Sequence, residues 1–432
     1  MRVGILGCGN VGAALVQLIE ARHDEIAART GLRLEVAKVA VRSLTCERPV
    51  ELPADVLTRD ASEVIDDPAI DVIVEVIGGI EPARELILQA LKSGKPVVTA
   101  NKELLANHGA ELYAASGSAG VDLLFEAAVA GGIPIMRPMR ESLLGEDVRL
   151  VAGIVNGTTN FILTRMTEEG ASYAEALTEA QQLGYAERDP TADVEGYDAG
   201  AKAAILASIA FGARVVAGDV YHEGISAITP TDIAFADRLG YAIKLLAVAE
   251  RFDGRDGAGP EVGVRVHPAM VPKQHPLAGV RDSFNAVFVQ GEAVGDLMFY
   301  GRGAGGDPTA SAVLGDLIDA ATNLRKGTHA DLVSLAKVTI RPIDDLESSY
   351  YVNIDVADRP GVLRAIAEVF ERYDVSIRSM EQEGIGDDAR VIFITHVTRE
   401  AAIQAALREF RDLEVIHAVN SVLRVLGDGT SS

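Results

Sequence analysis

Asp198 and Lys202 stand four residues apart, acid first, where a charged segment running from Tyr185 meets the apolar stretch Ala203-Ala-Ile-Leu-Ala-Ser-Ile-Ala-Phe211. On a helix that spacing puts both side chains on one face in the favourable order, with Glu195 falling near the same face. A solvated pair of this kind contributes only about 0.3–0.5 kcal/mol and is normally followed by more charge. Here the continuation is apolar. The pair therefore reads as charge held at the mouth of a buried helix, where it is costly unless it serves a purpose. An ordinary surface ion pair is the alternative. Glu187, Asp189 and Asp193 precede the helix in a Pro-containing loop. Such carboxylates suit an α-ammonium group, while a lysine near the reacting oxygen could relay its proton.

A second constellation sits at the start of the chain. Gly7-Cys-Gly9-Asn10-Val11-Gly12 follows an apolar run and opens a helical pattern. The first glycine permits a tight turn, the second lets backbone approach a pyrophosphate, and the third allows close helix–strand packing. The helix N-terminus adds N–H donors and a positive dipole. The next strand ends Val39-Ala-Val41-Arg42-Ser43 with no carboxylate to bind a ribose 2′-hydroxyl. Arg42 could meet a 2′-phosphate instead, so NADP is expected ahead of NAD, a plain surface arginine being the alternative. Lys102, in Thr99-Ala-Asn-Lys, falls at a helix start where the dipole disfavours a cation. A lysine reaching into a ligand cleft accounts for that placement better than an exposed one. Gly301-Arg-Gly303-Ala-Gly-Gly306-Asp-Pro-Thr309 reads as a flap over the cofactor, opening another helix with Pro308 in its first turn.

The elements that must position these groups fall into three blocks. Residues 1–128 alternate apolar runs (Val3–Leu6, Leu34–Val41, Val72–Ile77, Val97–Thr99, Leu123–Phe125) with helical patterns over Asn10–Arg29, Glu81–Lys92 and Lys102–Ala115. That alternation predicts a doubly wound α/β Rossmann domain with a parallel sheet covered on both faces. Residues 129–342 read as an α+β substrate and oligomerisation domain, with helices over Tyr173–Leu183, Asp193–Phe211 and Pro230–Glu250 and extended runs at Val262–Val266 and Asn285–Gln290. The helix after Gly306 is expected to rejoin the first block. Arg341–Ser349 is polar and reads as a linker. Residues 349–427 then give strand, helix, two strands, helix and strand, the ferredoxin-like βαββαβ arrangement.

Composition narrows the function classes. The 63 acidic residues outnumber 40 basic ones, a balance of −23 that argues against nucleic acid or an anionic membrane as partner. Cys8 and Cys46 are the only cysteines, so no disulfide framework is expected and the cytoplasm is the natural location. The apolar run before Cys8 is too short for a secretory signal, and no stretch is long enough to span a bilayer.

Taken together, Gly7–Gly12, Thr99–Lys102, Glu126-Ala-Ala-Val-Ala-Gly-Gly-Ile-Pro134, Asn156-Gly-Thr-Thr-Asn160, Gly184–Lys202 and Gly301–Thr309 resemble homoserine dehydrogenases of the long bacterial type across the whole chain. The resemblance implies reversible NAD(P)-dependent oxidation of L-homoserine to L-aspartate 4-semialdehyde, a step toward threonine, methionine and isoleucine. It assigns Lys202 as acid/base and Lys102 as a contact to substrate and nicotinamide. Glu187, Asp193 and Asp198 become the acidic positions that hold homoserine, and Gly303 joins the cofactor site. It also implies a monovalent cation, sodium, on carbonyls of Glu126, Val129, Gly131 and Ile133. Asp358-Arg-Pro-Gly-Val-Leu363 resembles the strand-to-helix loop of an ACT domain, implying feedback inhibition by an amino acid, threonine foremost. A homodimer or homotetramer is expected. Two other readings stay open: a dehydrogenase of another amino-acid-like substrate, and an amino-acid sensor without catalysis.

Overall fold

The computed structural model describes residues 1–254, 259–330, 335–384 and 389–427. Six strands, β1 (Arg2–Leu6), β2 (Glu35–Ala40), β3 (Leu57–Thr58), β4 (Val72–Glu75), β5 (Val97–Thr99) and β6 (Leu123–Leu124), form an all-parallel sheet in the order β3-β2-β1-β4-β5-β6. The order reverses between β1 and β4, the crevice where ligands bind in such sheets. Helices α1 (Asn10–Thr30), α2 (Ala61–Ile65), α3 (Ala83–Lys92) and α4 (Lys102–Ala119) connect the strands. Because both faces are covered, Val3, Ile5, Leu6, Val72, Ile73 and Val74 are all fully buried, as continuous apolar strands require.

The central block holds α5 (Gly157–Glu169), α6 (Tyr173–Gln182), α7 (Thr191–Val194), α8 (Tyr197–Phe211) and α9 (Pro230–Arg238). These pack on strands β7 (Val148–Ile154), β8 (Tyr221–His222), β9 (Tyr241–Phe252), β10 (Glu261–Pro272), β11 (Phe284–Gly291) and β12 (Gly295–Arg302). Two expectations need correction. The expected helix Pro230–Glu250 is half helix and half strand, because Gly240 takes a left-handed φ of 85° and the following apolar run pairs antiparallel with β10. The expected helix Asp193–Phe211 is broken at Gly196, φ 83°, which separates α7 from α8. Helix α10 (Gly306–Lys326) returns to pack against α1, β4 and β5, burying Ala310, Val313, Leu317, Ala320 and Ala321 in their shared core.

The tail consists of β14 (Glu347–Val356), α11 (Val362–Arg372), β15 (Ile377–Glu383), β16 (Arg390–Thr395), the short β17 (Thr398–Arg399), α12 (Glu400–Phe410) and β18 (Ile416–Val425). Its antiparallel order β18-β14-β16-β15 is the expected ferredoxin-like unit. It does not hang on a free linker. The short strand β13 (Thr339–Ile340) pairs with β10, Arg341 Nε bonds Glu261 Oε2 (2.7 Å), and Leu346 is buried. Strand β18 also pairs parallel with β10, Ala269 opposite Arg424, so one twelve-stranded sheet crosses both blocks. Across that seam the buried guanidinium of Arg424 pairs with Glu400 (2.8 and 2.9 Å) and Glu223 (2.6 Å). Among the described residues no helix is long and apolar enough to cross a membrane.

Candidate active site

Helix α8 is apolar nearly all round and its middle is buried, so a charge on it must be paired. Lys202, 9% exposed, donates from Nζ to Asp198 Oδ2 and to the Val155 carbonyl, both at 2.6 Å. Lys102 reaches the same carboxylate from the start of α4, its Nζ 2.5 Å from Asp198 Oδ1. One carboxylate thus bridges two lysines from different domains. Asn156, the N-cap of α5, donates from Nδ2 to Asp198 (2.9 Å) and to Asp193 (2.7 Å), while its Oδ1 accepts from Thr159 N. Breaking a buried charge cluster is most costly when a charge is left without a partner, and here the Asp198 carboxylate is held from three sides, by Lys202, Lys102 and Asn156.

The environment sets the three groups apart. Burial pushes the Lys202 ammonium below the ordinary lysine range, and the neighbouring Lys102 charge adds to that, against Asp198. Lys102 also feels desolvation, but Asp198 outweighs it and holds Lys102 up. Asp198 is desolvated too, yet the two ammonium groups keep it well below the usual carboxylate range. Desolvation raises Asp193, and the Asp198 charge reinforces it. Glu187 is exposed in the loop between α6 and α7, with its carbonyl accepting from Gln181 Nε2 (3.1 Å), and is bonded to neither lysine. Asp189 accepts from the backbone N–H (3.2 Å) and hydroxyl (2.7 Å) of Thr191, the first residue of α7.

The lysines face a cleft of about 350 Å³ whose other walls are Val11, Ile77–Gly79, Ala128 and Gly303. The fingerprint glycines differ in role. A Cβ at Gly7 would lie 2.7 Å from the Val76 carbonyl and one at Gly12 2.4 Å from the Gly7 carbonyl. A Cβ at Gly9 would meet nothing within 4 Å, so that residue borders open space at the N-terminus of α1. Asn10 begins that helix. The loop is set beside the end of β2 by the Gly7 N to Ala40 O bond (3.0 Å). Arg42, exposed just beyond, is therefore at the tip next to the fingerprint. Gly303 and Thr309 line the cleft, but the flap expected there is clamped. Gly132 N bonds Arg302 O (3.0 Å), and a Cβ at Gly303 would lie 2.0 Å from the Asn285 side chain.

Three contributors escaped the sequence reading. Glu75, fully buried at the end of β4, accepts from Ile77 N (2.7 Å), Gly78 N (3.1 Å) and Thr99 Oγ1 (2.6 Å), shaping one cleft wall. Asn101 caps α4 and donates to the Gly79 carbonyl (2.6 Å), which fixes Lys102. Asn156 stood in the motif Asn156-Gly-Thr-Thr-Asn160, but nothing in the sequence tied it to residue 198. Glu126 spends its side chain on the N–H groups of Ile135 (2.5 Å), Met136 (2.7 Å) and Arg137 (2.9 Å). What remains in the turn through Val129, Gly131 and Ile133 is main-chain oxygen. Among the described residues no cluster of three or more His, Cys, Asp or Glu side chains could hold a metal ion.

Comparison with known proteins finds relatives along the whole chain. A family model described as homoserine dehydrogenase matches residues 134–318, one described as its NAD-binding domain matches 7–126, and an ACT-domain model matches 350–415. The homoserine dehydrogenase of Mycobacterium tuberculosis (strain ATCC 25618 / H37Rv) is 51% identical over 434 residues, covering 99% of this chain and 98% of the relative. The crystal structure of a homoserine dehydrogenase from Thiobacillus denitrificans superposes with a TM-score of 0.90 at 40% identity, covering 99% of both chains. A hyperthermophilic archaeal homoserine dehydrogenase mutant in complex with NADPH matches 74% of this chain and 97% of its own, with a TM-score of 0.61 at 28% identity. The chain belongs to the homoserine dehydrogenase family and is an oxidoreductase acting on a CH–OH group.

Proposed function

We propose that the cleft oxidises L-homoserine reversibly to L-aspartate 4-semialdehyde, with Lys202 moving the hydroxyl proton. The observation that carries this is the single carboxylate of Asp198 bridging Lys202 and Lys102 at the cleft. A neutral lysine amine has two N–H donors and one lone pair. Lys202 directs two donor bonds to Val155 O and Asp198 Oδ2, which leaves the lone pair for the substrate hydroxyl. Its lowered proton affinity suits a base near working pH. Lys102 stays charged and polarises the reacting oxygen. Asp198, with Asp193 and Glu187 toward the loop side, orients the substrate ammonium. When bound, the nicotinamide supplies the hydride acceptor in one direction and the donor in the other. Gly7, Gly9, Asn10, Val11, Gly12, Lys102 and Gly303 would hold the cofactor, and the open face of Gly9 fits a pyrophosphate.

NADP is the proposed preference, with Arg42 as the 2′-phosphate partner and NAD as the alternate cofactor. The NADPH-bound archaeal relative supports that reading. The resemblance further implies a monovalent cation, sodium, on the main-chain oxygens of Glu126, Val129, Gly131 and Ile133, and oxygen donors of that kind suit a hard cation. The enzyme would act in the cytoplasm as a homo-oligomer and be inhibited through its ACT domain by threonine. Turnover with L-homoserine against L-2-aminobutyrate, which lacks the hydroxyl, tests the proposal. Cofactor reduction with homoserine alone is expected. No homoserine-dependent reduction with either cofactor would refute it.

A further inference from the structure

A second cleft, of about 480 Å³, separates the turn that feeds α8 from the tail domain. Its volume falls in the range of small-molecule sites. Glu195 and His222 line one side, Gln404 and Arg411 the other, with buried Ile228 and Leu407 between. Glu223 in the same wall is already committed to Arg424 at 2.6 Å. Glu195 and Arg411 form no ion pair among the described residues. An acid and a guanidinium facing one cleft from different domains, beside a carboxamide and an apolar surface, complement a small molecule with an ammonium, a carboxylate and a short apolar chain. We propose that this cleft binds a free α-amino acid, Glu195 taking its ammonium and Arg411 its carboxylate. The proposal deepens the regulatory reading above and rests on it for the identity of the effector.

The cleft has a short mechanical path to the lysines. Ile225 N bonds Val194 O (2.9 Å), and a Cβ at Gly224 would lie 2.5 Å from Glu195 Oε2, so the chain after β8 presses on the Glu195 turn. Gly196 joins that turn to α8, and Asp198 lies in the first turn beyond it. His222 Nε2 occupies the space a Cβ at Gly200 would need, 2.0 Å away, and the His222 ring packs on Tyr197 with centroids 5.2 Å apart. A ligand that binds one position of Glu195 better than another therefore biases the carboxylate that bridges both lysines.

The test uses the full-length protein and each proteinogenic L-amino acid in turn, with thermal shift and inhibition of homoserine turnover as readouts. Wild type is compared with Arg411→Ala, which removes the carboxylate partner, and Ala227→Trp, which fills the rim. One amino acid is expected to raise the wild-type melting temperature and inhibit it. Its half-saturating concentration should rise about tenfold or more in each variant. Melting curves without ligand show whether each variant is folded, and Ala227→Trp decides the question alone if Arg411→Ala is not. An amino acid that inhibits a folded variant as it does wild type overturns this site and leaves end-product inhibition standing. If no amino acid binds wild type, both readings fall.

Discussion

Replacing Lys202 with methionine keeps the unbranched stem and removes the amine. In the native site Nζ makes two 2.6 Å bonds, to Asp198 and to the Val155 carbonyl. After Lys202→Met, Asp198 still has Lys102 at 2.5 Å and the Asn156 amide at 2.9 Å, so its charge is not stranded. The Val155 carbonyl is left without this donor, at a cost of about 1–3 kcal/mol, offset in part by no longer burying an amine. The variant should therefore fold, with a modest loss of stability. Its chemistry should not survive. A positioned acid/base contributes about 10²–10⁴ in rate, or about 2.7–5.4 kcal/mol of barrier at about 1.36 kcal/mol per decade. Steady-state assays in both directions, with circular dichroism and melting curves on the same sample, measure this. The kcat should fall by about a hundredfold or more, while the homoserine KM, held by Asp198 and Lys102, moves little. A folded variant within about threefold of the parental kcat would refute the assignment of the proton to Lys202.

Gly200→Ala sets two effects against each other: alanine gains about 1 kcal/mol of helix propensity, but a Cβ there would lie 2.0 Å from His222 Nε2, and overpacking costs about 1–3 kcal/mol. The substitution should lower the denaturation midpoint in wild type and raise it in a His222→Ala background. Arg424→Met strips Glu400, itself 3% exposed, of two charge-assisted bonds and should cost about 3–5 kcal/mol, seen by calorimetry as earlier melting. Arg42→Ala should raise the KM for NADP and leave that for NAD unchanged. An unchanged NADP KM would remove Arg42 from the phosphate site.

The parts of this molecule legible in sequence are those where one local pattern has one physical reading. Gly7–Gly12 between an apolar run and a helical pattern specifies a strand–turn–helix, and the i,i+4 acid and lysine on an apolar helix specify a buried pair. Gly200, a glycine inside that helix, is where His222 packs. Other features depend on distant partners. The run Tyr241–Phe252 is apolar at both helical and strand periods, and only its pairing with β10 makes it a strand. Glu75 looks like any strand-end acid until Thr99 and the 77–78 backbone close around it. Arg341–Ser349 is polar enough to read as a free linker, yet Arg341 lies over the Phe252 ring at 3.9 Å, a contact made between distant segments. Asn156 and Asp198 meet across 42 residues, beyond any local signal.

The central claim is that the reaction proton passes through a lysine amine whose proton affinity is set by burial against Asp198. The most direct test is the pH dependence of kcat/KM for homoserine oxidation in wild type and in Asp198→Asn. Oxidation requires the neutral amine, so the rate should rise with pH as Lys202 deprotonates and then level off. Losing the Asp198 charge removes the main force that favours the ammonium, while burial and Lys102 continue to oppose it. The rising limb should therefore move to lower pH in Asp198→Asn, even as the plateau falls. A limb that stays in place, or moves to higher pH, would contradict the account.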